Sequence, residues 1–441
     1  MRKGFIYNHN KCVACRACSA ACILENGWGI HAREIVTFNS EALATLPLIN
    51  LSLACNHCET AVCLNGCPTS AYSRDKLTNA VIIDDNKCIG CKYCQWNCPY
   101  DAPKFDSQHG IIGKCNLCYS RMTNGYLPAC TNACPTGALD FGELTGPDAE
   151  IFYYWFPLKD LNPAIKFTGN QDKTPLRIIP EKLFEEISPI ASDERETGLR
   201  NEWSLVVFSF LTTISVATLI SSLIKGIFPD RTLFFLIIMV AGIVSLFHLG
   251  KKVIIWRAVA NLRTSPLSRE IVLFILYSLI STIALFSELP IYLVASSIIG
   301  LILLIAIDSV YIYADKRKSV LMHSGQTFLS GLLIASMFSG AIFPFLFLAL
   351  LKLATSVYSL ISIRKNRNIF VISFLRMAML VIAVASLISG LSDSDNLIII
   401  LFLTGELIDR ILFYIDFKPL NINRLITKQP IVLRYEKERG K

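Results

Sequence analysis

Charge is scarce in this sequence: Asp, Glu, Lys and Arg make up 17% of its 441 residues, well below the ~25% usual in soluble chains. That fraction, beside 53% hydrophobic residues, excludes a disordered or purely soluble chain and favours a membrane protein. Histidine is equally sparse, with six in all: His9, His31, His57, His109, His248 and His323. Cysteine is missing from everything beyond Cys134, more than two thirds of the chain, yet sixteen crowd between Cys12 and Cys134. The opening Met1-Arg2-Lys3-Gly4-Phe5-Ile6 shows neither the apolar core of a secretory signal nor a twin-arginine pair. The expectation is therefore reduced thiols in a reducing compartment, not a disulfide framework. Two differently built parts are joined here.

The spacing of the cysteines carries the chemistry. They form four groups with none left over: Cys12, Cys15, Cys18 and Cys22; Cys55, Cys58, Cys63 and Cys67, then Pro68; Cys88, Cys91, Cys94 and Cys98, then Pro99; Cys115, Cys118, Cys130 and Cys134, then Pro135. The first and third have the C-x2-C-x2-C-x3-C run of cubane iron–sulfur proteins, in which the fourth thiolate reaches a different cluster from the first three. Proline after the last cysteine fixes the turn that sends that thiolate away. Zinc also uses paired cysteines, but a tetrahedral site has no use for a third thiolate two residues on or for the Cys-Pro ending. Four complete groups predict four [4Fe–4S] clusters.

Cys55-Asn56-His57-Cys58, Cys67-Pro68-Thr69, Cys88-Ile89-Gly90-Cys91 and Lys114-Cys115-Asn116-Leu117-Cys118 resemble the four-cluster iron–sulfur subunit of molybdopterin oxidoreductases of the dimethyl sulfoxide reductase type, over Met1 to Glu143. The resemblance implies that Cys12, Cys15 and Cys18 share a cluster with Cys134, and Cys115, Cys118 and Cys130 share one with Cys22. It likewise implies that Cys55, Cys58 and Cys63 join Cys98, while Cys88, Cys91 and Cys94 join Cys67, making a one-dimensional wire. His248-Leu249-Gly250, Trp256-Arg257-Ala258 and Gly405-Glu406-Leu407-Ile408 resemble the membrane anchor of the same enzymes, a separate chain there and fused here. Lys252, Pro266 and Asp409 depart from that pattern. The implied partner is a separate molybdopterin catalytic subunit, and the implied substrate is menaquinol.

The predicted architecture is an α+β ferredoxin-like cluster domain followed by an all-α transmembrane helix bundle. Residues 1–146 would hold the clusters. Residues 147–202, punctuated by Pro157, Pro163, Pro175, Pro180 and Pro189, would form an extended strap that packs its aromatic run Phe152-Tyr153-Tyr154-Trp155-Phe156. Residues 203–415 would be an eight-helix anchor, and 416–441 a basic cytoplasmic tail. The apolar runs approach the ~20 residues a bilayer core requires. They lie near Trp203–Phe228, Leu233–Ile255, Ile271–Phe286, Leu289–Tyr313, Thr327–Ala341, Phe343–Ile363, Ile369–Ile388 and Leu397–Ile415, with Pro344 dividing the fifth from the sixth. Loops after even spans carry Lys251, Lys252, Arg257, Arg263, Arg269, Lys316, Arg317, Lys318, Arg364, Lys365 and Arg367, and the tail adds Lys418, Arg424 and Lys428. The opposite loops carry Asp230, Glu288, Asp393 and Asp395 against Arg231 alone. By the positive-inside rule this predicts a multi-pass protein of the inner (cytoplasmic) membrane with its cluster domain in the cytoplasm. The net charge of +8 is then explained by topology, with no nucleic acid as partner.

Ionisable groups inside a bilayer are costly and mark candidate sites. His248, Asp308, Lys352, Arg376 and Glu406 stand in predicted spans. His248, with an unperturbed pKa near 6.5, suits a base for quinol protons, with Glu406 or Asp308 relaying them. Arg376 and Lys352 read as structural partners of those acids, although Arg376 remains in the candidate quinol pocket. Arg257, at the membrane edge, suits either a quinone carbonyl or an anionic lipid headgroup. Only His248 among the histidines lies within a span, so bis-histidine haem ligation is excluded and no haem is expected. The reading is an electron-transfer and anchor subunit that oxidises menaquinol. The competing readings are the same wire run from a dehydrogenase, such as one for formate, to quinone, and a transporter bearing a metal-binding regulatory domain.

Overall fold

A computed structural model describes residues 2–27, 33–38, 49–144, 161–168, 199–314, 326–362, 367–389 and 396–417. These fall into two compact units, and the division does not follow chain order: Gly250–Thr264 belongs with the cysteine-rich unit, although the chain on both sides of it belongs to the helical one.

The first unit is a small α/β domain. Its strands are β1 (Lys3–Tyr7), β2 (Arg33–Phe38), β3 (Ile49–Ala54), β4 (Tyr72–Arg74), β5 (Val81–Ile83), β6 (Lys104–Asp106), β7 (Ile111–Gly113), β8 (Leu139–Glu143) and β9 (Ile165–Phe167). Five short helices carry the cysteine motifs: α1 (Ala17–Asn26), α2 (Val62–Gly66), α3 (Tyr93–Asn97), α4 (Tyr119–Thr123) and α5 (Ala129–Asn132). β1 pairs antiparallel with β8, Phe5 opposite Phe141, and parallel with β9. Alternation along β1 turns Phe5 and Tyr7 inward, where they join Leu139, Phe141, Ile165 and Phe167 in one core. β4 pairs with β5 and β6 with β7, so one hairpin follows each Cys-Pro turn at Pro68 and Pro99. Helix α1 packs on α5 and α2 on α3, which pairs the first cysteine motif with the fourth and the second with the third. The strap thus contributes a strand, β9. Its aromatic run lies outside the described residues, as do the tail beyond Phe417 and the charges at 315–325, 363–366 and 390–395.

The second unit is all helical among the described residues: α6 (Leu199–Lys225), α7 (Arg231–Ser245), α8 (Pro266–Ser287), α9 (Pro290–Ala314), α10 (Gln326–Ser339), α11 (Ile342–Ser362), α12 (Arg367–Ile388) and α13 (Asn396–Asp416). Five stretches are long and apolar enough to cross a membrane: Glu202–Lys225, Arg231–His248, Pro266–Ser287, Pro290–Ala314 and Phe370–Ile388. Thr327–Ser339 and Ile342–Val357 are shorter apolar helices. Helix α6 packs against α7, α9, α10 and α13, and its Ser215, Val216, Ala217 and Leu219 are fully buried. On α7, by contrast, Leu233, Leu236, Met239 and Ile243 are exposed. An outward apolar stripe at that helical spacing suits hydrocarbon, not water.

Several boundaries differ from the sequence reading. The second span, expected to run to Ile255, stops at His248, and Gly250–Thr264 leaves the helical unit; the third begins at Pro266 instead of Ile271. The break between α10 and α11 falls at Gly340, whose φ of +72° ends α10, rather than at Pro344. Proline needs no intrahelical partner for its missing N–H in a first turn, so Pro344 fits inside α11. The first long helix begins at Leu199 instead of Trp203, carrying buried Glu202 in its first turn.

Candidate functional site

The cysteines converge as four sets. Cys12, Cys15, Cys18 and Cys134 line one cavity, and Cys55, Cys58, Cys63 and Cys98 line another. Cys67 acts electrostatically on Cys88, Cys91 and Cys94. Cys22 faces Cys118 and Cys130, and Cys130 faces Cys115. Each set therefore takes three thiols from one motif and one from another. The loops bend tightly enough to do this because Ala14, Arg16, His57, Lys92, Leu117 and Cys118 adopt positive φ, as does Gly90.

The thiols sit in a poor environment for bare charge. Burial, then the neighbouring Cys130, pushes Cys22 up to about 11. Burial, then Cys67, pushes Cys91 up to about 12, and Cys63 and Cys115 are raised further by burial and Cys55. Bound cations reverse this, because metal ligation deprotonates thiols outright. Hydrogen bonds already point at the sulfurs: the N–H groups of Ile112, Leu117 and Leu139 donate to Sγ of Cys88, Cys115 and Cys134, each at 3.4 Å. Among the described residues no group of three or more His, Cys, Asp or Glu is placed to hold a single metal ion. Two of the sets line cavities, and a cubane cluster is held by four thiolates around its iron–sulfur core.

The comparisons with known proteins agree. A family described as "4Fe-4S dicluster domain" matches residues 47–144. A sulfite dehydrogenase subunit of Allochromatium vinosum is 33% identical over 205 residues, which is 40% of this chain and 85% of that protein. A subunit of the anaerobic dimethyl sulfoxide reductase of Haemophilus influenzae is 36% identical over 152 residues, 32% of this chain and 74% of that one. Protein NrfC of Escherichia coli is 35% identical over 157 residues, 34% of this chain and 70% of its own length. The chain belongs to this family of iron–sulfur electron-transfer subunits.

As a member of that family it carries buried cations that the cysteine spacing did not announce. Arg33, 4% exposed, sits among Cys130, Cys115, Cys18 and Cys22; burial disfavours its charge, and these sulfurs in their thiolate form outweigh that and raise its pKa above the usual guanidinium value. Its Nη1 donates to Ser52 Oγ at 2.9 Å. Lys114, also buried, donates from Nζ to the carbonyls of Val81 and Cys115. His57 is kept neutral by burial, with Lys114 adding to the effect, and its Nδ1 accepts the Val81 N–H at 3.0 Å.

The helical unit brings together some of the predicted quinol residues and not others. Lys352 on α11 pairs with Glu406 and, at 3.1 Å, with Asp409 on α13. Arg376 on α12 meets Asp409 at 2.6 Å and Ser356 Oγ at 3.0 Å. Asp308 on α9 accepts the N–H groups of Thr327 and Phe328, at 3.3 and 3.1 Å, at the start of α10. Arg410, absent from the predicted pocket, faces Asp308, Asp409 and Tyr414, with its guanidinium 4.7 Å from the Phe413 ring centroid. Glu406, Asp409, Arg410, Thr327 and Ser330 line a common cavity. His248 closes a single turn after α7, in the same unit. Arg257 belongs to the cysteine-rich unit. The signal for Arg410 was present in sequence as the Glu406, Asp409, Arg410 spacing, which puts three charges on one helix face. Glu270 is buried too; it stands one residue before the apolar run that begins at Ile271, where a charge reads as part of a loop.

Proposed function

We propose that this chain is both the electron wire and the membrane anchor of a respiratory oxidoreductase, taking electrons from menaquinol to a separate molybdopterin catalytic subunit. The supporting observation is the convergence of sixteen cysteines into four interlocked sets. Four [4Fe–4S] clusters in these sets would supply one-electron steps in single file. Oxidation of a quinol releases two electrons and two protons: the electrons leave one at a time along the cysteine-held centres to the partner's acceptor, and the protons pass to carboxylates. Glu406 and Asp308, with His248 as the first base, are the proposed proton acceptors. Arg376 fixes Asp409 in place, and Arg257 serves a carbonyl or lipid headgroup at the membrane edge. The chain's long apolar helices are the proposed anchor in the inner membrane, with the cluster domain on the cytoplasmic face.

A second reading runs the wire the other way, from a dehydrogenase to quinone. The likeness to a sulfite dehydrogenase subunit favours it. Direction follows from cluster potentials against that of menaquinone.

The test is iron and acid-labile sulfide per chain, with low-temperature EPR of the membrane-purified protein before and after a menaquinol analogue. About sixteen irons and reduced-cluster signals that grow with quinol are expected. Zinc in place of iron would overturn the wire. Full clusters that ignore quinol but are reduced through the catalytic partner would favour the reversed direction.

A further inference from the structure

Gly250–Thr264 connects two helices of the apolar bundle, yet it folds as part of the cysteine-rich unit. Its contacts fall on two cysteine-bearing turns. The N–H groups of Gly250 and Lys251 both donate to the Ile89 carbonyl, at 3.0 and 3.1 Å, and Lys251 Nζ donates to the Asp85 carbonyl at 3.1 Å. At the other end, Asn261 N–H donates to the Pro68 carbonyl at 3.1 Å, and Asn261 Nδ2 donates to the Cys67 carbonyl at 2.9 Å. Thr264 Oγ1 locks this arrangement, reaching the Asn65 carbonyl at 2.8 Å and Asn261 Oδ1 at 2.9 Å. Ile89 stands between Cys88 and Cys91, so one loop holds both parts of a single cysteine set: Cys88, Cys91 and Cys94 on one side and Cys67 on the other.

Close packing makes the seat specific. Gly90 and Gly110 have φ of +65° and +66°, a conformation that glycine adopts without strain. A side chain on Gly110 would meet the Gly250 carbonyl oxygen at 2.8 Å, and one on Gly250 would strike the Gly110 carbonyl. Three backbones meet where a side chain has no room. Cys67 and Cys88 are buried, and the loop brings the charges of Lys251 and Arg257 beside Asp85 and Asp84, just before Cys88. Donors, positive charge and exclusion of solvent are the levers that tune an iron–sulfur potential.

We propose that Gly250–Thr264 is a clamp that fixes and tunes the cluster held by Cys67, Cys88, Cys91 and Cys94, with Asn261 as its positioning residue. This rests on the cluster assignment above. Donation to the Cys67 carbonyl offsets negative charge beside the thiolate, favouring the reduced form, so loss of the amide lowers that one potential. Asn261→Asp removes the donor and adds negative charge while keeping the acceptor for Thr264.

The experiment is an EPR-monitored redox titration of the full chain purified from membranes, with iron counted in parallel. Asn261→Ala and Asn261→Asp should keep the wild-type iron content and move one of the four midpoint potentials downward, with the larger shift in the aspartate variant. Gly250→Ala, which unseats the clamp sterically, should move the same signal or lose that cluster alone. Unchanged potentials in all three variants, or equal shifts in every cluster, would overturn the clamp. A wild-type protein without its full iron complement would instead remove the underlying assignment.

Discussion

Arg33 shows what a single residue does in a chain of negatively charged centres. A buried guanidinium costs several kcal/mol unless its charge is met, and here it is met by thiols of two neighbouring cysteine sets. It also stacks 4.3 Å from the Phe5 ring centroid, so core packing and electrostatics fix it together. On the proposed reading of four clusters, removing the charge while keeping the bulk, as in Arg33→Met, is expected to lower the potentials of the two held by the sets that contain Cys18 and Cys22, Cys115 and Cys130, leaving the other two in place. A redox titration of all four EPR signals checks this, and four unmoved potentials would show that Arg33 acts only in packing. The cysteines themselves were legible because their chemistry dictates spacing. Arg33 was not, because a charge that acts across strands has no motif. The same holds for Lys114, which the sequence marks only as the neighbour of Cys115.

At the scale of elements, three helices of the apolar unit are tied by charge. Glu406 and Asp409, one turn apart on α13, reach Lys352 on α11 and, through Asp409, Arg376 on α12. Lys352→Met leaves Glu406 buried without its partner, a change expected to cost ~3–5 kcal/mol. Pairing it with Glu406→Gln removes the orphaned charge and should recover part of that loss. Thermal unfolding in detergent, followed by helical CD, measures both; a double variant no more stable than the single one would deny the coupling. The helices were readable from their long apolar runs and the charges inside them were read as partners, but which acid met which base was not: Arg376 meets Asp409, which was neither of the two acids expected, Asp308 and Glu406. The glycine at position 340 outweighed Pro344 as the breaker, since a left-handed residue ends a helix whereas a proline in the first turn does not. The first part of Gly250–Thr264 read as the end of the second span and the rest as a basic loop, because its bonds run to backbone carbonyls of the cysteine-rich unit, which leave no mark on its own sequence.

For the whole molecule, that loop also bears on orientation. The cluster domain precedes α6 and the loop follows α7, and both belong to one compact unit. If α6 and α7 each cross the membrane once, the two lie on the same side, as an even number of crossings demands. Lys251, Lys252, Arg257 and Arg263 mark that side as basic, while the turn between α6 and α7 carries Asp230, which caps α7 by accepting the Leu233 N–H at 2.7 Å. On the proposed topology, the positive-inside rule would then put the cluster domain in the cytoplasm. An epitope inserted after Gly226 should be reached by antibody in intact spheroplasts. One inserted after Val253, which is 91% exposed, should be reached only in inverted vesicles. The reverse pattern would place the clusters outside, as a partner exported across the membrane would require. Both epitopes reached from one side would mean that α7 does not cross.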